Sequence, residues 1–117
     1  MNRESIREFC LSLPHVTEDI QWEVDLLFRI GGKMFAVMNL ESEPVTLSFK
    51  CTPEEFGELT QIDGIITAPY VARYHWVQIQ RPGVLKTAEV KRLIKDSYQM
   101  VYDKLPGKLK KSLSRNH

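Results

Sequence analysis

The sequence is short of cysteine, of long apolar runs and of excess charge of either sign. Its two cysteines, Cys10 and Cys51, sit in apolar-patterned positions without metal-ligand spacing. That favours two buried free thiols in a reducing cytoplasm over a disulfide or a redox pair. No apolar run is long enough to cross a bilayer. The opening MNRESIREFC carries charges throughout and lacks the apolar core of a secretory signal, so a cytoplasmic protein is expected. None of His15, His75 and His117 pairs with a Cys or His at metal spacing. There is no nucleophile elbow, P-loop or dinucleotide fingerprint. An enzyme, a resident metal and a cofactor are therefore not expected. Internal repeats, low-complexity tracts and linkers are also missing.

What is present fits one domain. A chain of 117 residues, 43% hydrophobic and 26% charged, can bury a single core and is too apolar for a disordered segment. The net charge of +1 hides an asymmetry. Residues 1–65 hold 5 basic and 12 acidic side chains, a balance of −7. Residues 66–117 hold 11 basic and 3 acidic ones, a balance of +8. Such a split marks one basic and one acidic surface unless the halves interleave in space.

The stretch Leu26–Cys51 reads as three antiparallel strands. Gly31-Gly32 lies between two apolar runs and can take positive φ at both centres of a two-residue hairpin turn. That loop places Phe28 opposite Phe35, Leu26 opposite Val37 and Arg29 opposite Met34. In the third strand Val45, Leu47, Phe49 and Cys51 point one way, and Thr46, Ser48 and Lys50 the other.

Before this meander, Asn2 or Ser5 can cap a helix whose apolar stripe is Ile6, Phe9, Cys10 and Leu13, ended by Pro14. The segment His15–Asp25 is acidic, with part of it near Thr17–Gln21 available as an edge strand. Its acids, Glu18, Asp19, Glu23 and Asp25, read as a solvated rim; a divalent-cation site lacks the ligand-spaced loop it would need.

After the meander, Thr52-Pro53-Glu54-Glu55 forms a capping box with proline at the first helical position, and a short helix follows to about Leu59. Gln61–Val71 reads as a loop and Tyr74–Ile79 as the last strand. A long helix from about Thr87 to Leu105 buries Val90, Leu93, Ile94, Ser97, Val101 and Leu105. Pro106-Gly107 stops it, and Lys108–His117 reads as a basic tail that complements the helix dipole and keeps the chain soluble.

The expected architecture is α+β: a single-layer antiparallel sheet with the N- and C-terminal helices packed on one face. Phe28, Phe35, Leu47, Phe49, Val77 and Ile79 share the covered face, under Phe9, Leu13, Leu93, Ile94 and Val101. Arg29, Thr46, Ser48, Lys50, Trp76 and Gln78 fall on the other, open face. A tryptophan of that parity is either covered by the preceding loop or offered to a ligand. Beside Arg73, Lys50 and Arg29, an accessible Trp76 would complete a surface able to bind phosphate and stack on bases. His75 reads first as a structural hydrogen-bonder rather than a general base.

The runs GGKMFA, LSFKCTPEEF, APYVARYHWV and LIKDSYQMVYDKLP, with REFCLSLPHVTEDIQWE before them, resemble the MmcQ/YjbR-like family over nearly the whole chain. The resemblance implies a frataxin-like (CyaY-like) fold and DNA binding through a "double wing" arrangement. It points by position to Lys33, Phe35, Lys50, Tyr70, Arg73, His75, Trp76 and the pair Ser97-Tyr98. The chain departs from the family pattern at Ala72, where many members have Asn, and at His15, where many have Gly.

Two classes of function follow. One is a nucleic-acid-binding or regulatory module that uses Lys33, Lys50, Arg73, His75 and Trp76, with DNA as a weak, salt-dependent partner and a monomer as the expected state. The other is a protein-interaction or small-ligand scaffold with no nucleic-acid role, because fold alone does not set function.

Overall fold

In the computed structural model the described residues are 2–68 and 74–115, the side chains of 114 and 115 excepted. The helix α1 (Arg3–Ser12) starts where both candidate caps act together. Asn2 Oδ1 accepts the Ser5 N–H at 2.8 Å, and Ser5 Oγ accepts the Asn2 N–H at 3.0 Å. Ile6 and Cys10 enter the core from its inner face.

Three strands follow, β1 (Thr17–Gln21), β2 (Asp25–Ile30) and β3 (Lys33–Asn39). Gly31 and Gly32 make the β2–β3 turn at φ +59 and +82, as a two-glycine hairpin requires. The register holds at Arg29↔Met34 but then shifts: Phe28 faces Ala36 and Leu27 faces Val37. Phe35 is the extra residue of a bulge, which a register counted outward from the turn cannot anticipate.

The strand β4 (Leu47–Lys50) keeps the expected alternation, with Val45, Leu47, Phe49 and Cys51 all buried. The Thr52–Glu55 box opens α2 (Pro53–Leu59) with Thr52 Oγ1 accepting the Glu55 N–H at 3.1 Å. The segment read as a loop contains a short strand, β5 (Ile65–Thr67), paired to β6 (Trp76–Ile79) through Ile65↔Ile79. Three residues are too few for alternation to show, so pairing with β6 defines this strand.

The six strands form one antiparallel sheet in the order β1-β2-β3-β4-β6-β5. The long helix α3 (Thr87–Asp103) lies across it, with Val90, Leu93, Ile94, Ser97 and Tyr98 buried. Leu93 and Ile94 are buried in the same core cluster as Phe28, Phe35, Leu47, Phe49, Val77 and Ile79, and Phe9, Leu13 and Val101 pack against its margin. The fold is therefore α+β, a single antiparallel sheet with its terminal helices on one face.

Pro106 does not begin a tail. It begins α4 (Gly107–Arg115), whose first turn is closed by the Leu109 and Lys110 N–H groups on the Pro106 carbonyl. Leu109 and Leu113, one helical turn apart, pack against the core.

Candidate nucleic-acid interface

The two glycines, the bulge and the cap of α2 bring several basic or polar positions to one end of the sheet. Lys33 is the first residue of β3, Lys50 the last of β4 and Trp76 the first of β6; Lys50 and Trp76 are cross-strand partners. The end of α3 crosses the same edge, because Leu105 packs on the hairpin: a Cβ on Gly31 would stand 2.6 Å from Leu105 Cδ1. Lys104, one residue earlier, is thereby delivered next to Lys50.

The two lysines meet in a cleft of about 370 Å³, lined also by Thr52, Tyr74, His75 and Met100. Burial first, and then the positive charge of Lys104, hold the Lys50 amine below the ordinary lysine range. Lys33 and Lys104 are exposed and Lys50 is half-buried. Every ion pair among the described residues is made by an arginine. Arg92 alone gathers Glu55, Glu89 and Asp96, binding the start of α2 to α3. The three lysines have no carboxylate partner among the described residues.

Arg29, which parity put beside Trp76, is occupied: its Nε donates to Asp19 at 2.8 Å and its Nη1 to the Gly32 carbonyl at 3.1 Å. Arg73 and Tyr70 lie outside the described residues.

His75 takes a left-handed backbone, φ +64, directly before β6. Its carbonyl accepts the Cys51 N–H at 2.9 Å and its ring meets Phe56 edge-on at 5.5 Å. It is half-buried and braces the start of β6 against α2.

Of the two readings of Trp76, covered or offered to a ligand, the structure shows the first. It is only 4% exposed, and Leu27 on the same side of the sheet is 1% exposed. Neither belongs to the core under the helices, so the face read as open also buries apolar side chains. A base cannot stack on Trp76 in this conformation; Trp76 is the cross-strand partner of Lys50. The exposed tryptophan is Trp22, 69% accessible at the far end of β1.

The pair Ser97-Tyr98 is structural. Tyr98 donates to the Pro14 carbonyl at 2.7 Å and packs edge-on against Phe35 at 5.4 Å, and burial raises its hydroxyl pKa. Cys10 and Cys51 are free and buried, and burial pushes their thiols up to about 12 and about 11, so neither is a thiolate near neutrality. Among the described residues no group of three His, Cys, Asp or Glu side chains could hold a metal, and no helix is long and apolar enough to cross a membrane.

Sequence reasoning gave no role to Lys104. Nothing in its spacing marks it, since only the packing of Leu105 on the hairpin brings it to Lys50.

The molecule is thus a small open-sheet α+β protein with a lysine-lined cleft at one end of the sheet. The YjbR family model matches residues 11–100, and the chain belongs to that family. Its fold is similar to that of Deinococcus radiodurans protein DR2400, described by the family-model domain DUF419, at a TM-score of 0.88 and 26% identity, covering 97% of this chain and 88% of that one. A Pseudomonas syringae protein solved as a structural-genomics target shares the fold at a TM-score of 0.73 and 24% identity, covering 86% of this chain and 99% of that one. No curated protein matches.

Proposed function

We propose that this protein is a non-enzymatic module that binds nucleic acid through its phosphates, using Lys33, Lys50, Lys104 and Arg73, with His75 at the cleft. One observation carries the reading. The arginines among the described ion pairs are taken up by carboxylates, while Lys50 and Lys104 share one cleft and Lys33 lies at the same end of the sheet, none with an acidic partner among the described residues. Like charges held together are relieved by an anion, and a polyphosphate backbone supplies several at once. The basic balance of residues 66–117 and the family's double-wing description support the same reading.

Binding of this kind is salt-dependent. Affinity for duplex DNA falls by roughly 0.9 log units per log unit of salt for each phosphate neutralised. Labelled single- and double-stranded oligonucleotides, titrated at low and rising salt, test it. Lys33→Ala and Lys104→Ala are expected to weaken binding and to lower the salt slope by about one unit each.

The alternative, a small-ligand scaffold, draws on a second cleft of about 420 Å³ between α1, α3 and α4, lined mainly by Leu13, Pro14, Tyr98 and Tyr102. Absence of saturable binding to either oligonucleotide, by protein shown to be folded, favours that alternative.

A further inference from the structure

The lysine-lined cleft has a charge count that distinguishes two kinds of phosphate. Its two ammonium-bearing residues come from different elements, Lys50 from the end of β4 and Lys104 from the residue closing α3. They are held together by packing elsewhere. The backbone N–H of Lys50 is fixed by Ser97 Oγ at 3.0 Å, and Leu105 is seated on the Gly31 turn. The backbones that carry the two amines are therefore set side by side before any ligand arrives.

The cleft is half open. Met100 and His75 form part of its wall, and its volume of about 370 Å³ has room for a phosphate together with part of the group it esterifies. An internal phosphodiester carries one negative charge and must leave the site at both ends. A phosphate monoester carries about two charges at neutral pH, exposes three acceptor oxygens and has one point of attachment.

We propose that the Lys50–Lys104 cleft is a receptor for a phosphate monoester, which the two lysines clamp while the rest of the ligand extends toward Tyr74. Such a group can be the 5′-terminal phosphate of a nucleic-acid strand or belong to a free mononucleotide. The inference takes its site from the nucleic-acid reading and adds the class of phosphate recognised.

The test uses the full chain. One single-stranded oligonucleotide, labelled at its 3′ end, is prepared with a 5′-phosphate and with a 5′-hydroxyl. Adenosine 5′-monophosphate and adenosine are titrated separately by calorimetry. The 5′-phosphorylated strand is expected to bind about tenfold more tightly, the size of one charge-assisted contact. Lys104→Ala is expected to abolish that preference and Lys104→Arg to retain it; Lys104 is exposed, so the fold survives both changes. If the mononucleotide binds as well and adenosine does not, the ligand is a free ester as much as a strand end.

Equal, salt-dependent binding of both strands overturns the monoester inference and leaves the broader nucleic-acid reading standing. Binding of the mononucleotide without either strand overturns the broader reading and leaves the receptor. Silence in every titration removes both.

Discussion

Ser97 Oγ donates to the Phe35 carbonyl at 2.7 Å and accepts the Lys50 N–H at 3.0 Å, so one buried hydroxyl on α3 stands where the next β3–β4 rung would be. The bulge at Phe35 breaks the ladder there, and the serine satisfies both backbone groups it leaves behind. Ser97→Ala removes the hydroxyl and leaves a buried donor and a buried acceptor. A loss of about 1–3 kcal/mol in unfolding free energy is expected. An unchanged denaturant midpoint would show that water fills the gap.

Trp76 is expected to behave as an interior residue. Trp76→Ala should cost about 3–5 kcal/mol through the cavity it leaves. In the native protein iodide is expected to quench Trp22 freely and Trp76 hardly at all, because Trp22 is 69% and Trp76 4% exposed. If Trp22→Phe leaves a fully quenchable emission, the indole of Trp76 is accessible after all.

The two glycines of the hairpin turn are not equivalent. Both have positive φ, so alanine at either carries a backbone cost of about 1–2 kcal/mol. A Cβ on Gly32 meets open space, whereas one on Gly31 would approach Leu105 Cδ1 at 2.6 Å and Leu109 Cδ2 at 3.1 Å. Gly31→Ala is expected to destabilise more than Gly32→Ala, by the amount needed to move those leucines. Thermal unfolding of the two variants side by side decides it; equal melting temperatures would mean that the leucines shift without cost.

Truncation after Pro106 removes α4. Leu109 and Leu113 are each half-buried against the core, so the loss is expected to be about 2 kcal/mol. A solubilising tail would instead leave stability nearly intact. Urea unfolding of the shortened chain distinguishes the two.

Acid weakens the β1–β2 edge in a defined direction. The Arg29 guanidinium, with help from Gln21, holds the Asp19 carboxyl below the usual carboxylate range. A carboxyl with a depressed folded pKa contributes stability above its unfolded value of 3.8, and that contribution is lost as pH falls through the folded value. Asp19→Asn is therefore expected to flatten the acid limb of the stability profile below about pH 4 while leaving its shape above neutrality unchanged.

Local chemistry wrote much of this protein into its sequence. The capping boxes at Asn2 and Thr52 are read from adjacent residues, because a helix start needs a side-chain acceptor only three positions from its donor. The Gly31-Gly32 turn and the alternation from Val45 to Cys51 are equally local, as is the buried face of α3. Tertiary packing decided the rest. The bulge at Phe35 depends on a serine 62 residues away donating to its stranded carbonyl. The strand β5 exists through its pairing with β6, and α4 is positioned by the core that receives Leu109 and Leu113. Parity put Trp76 on the second face but could not tell whether that face was covered, since burial depends on what lands there. The meeting of Lys50 with Lys104 has no signature in the chain at all, because charges 54 positions apart become neighbours only when Leu105 closes on the hairpin.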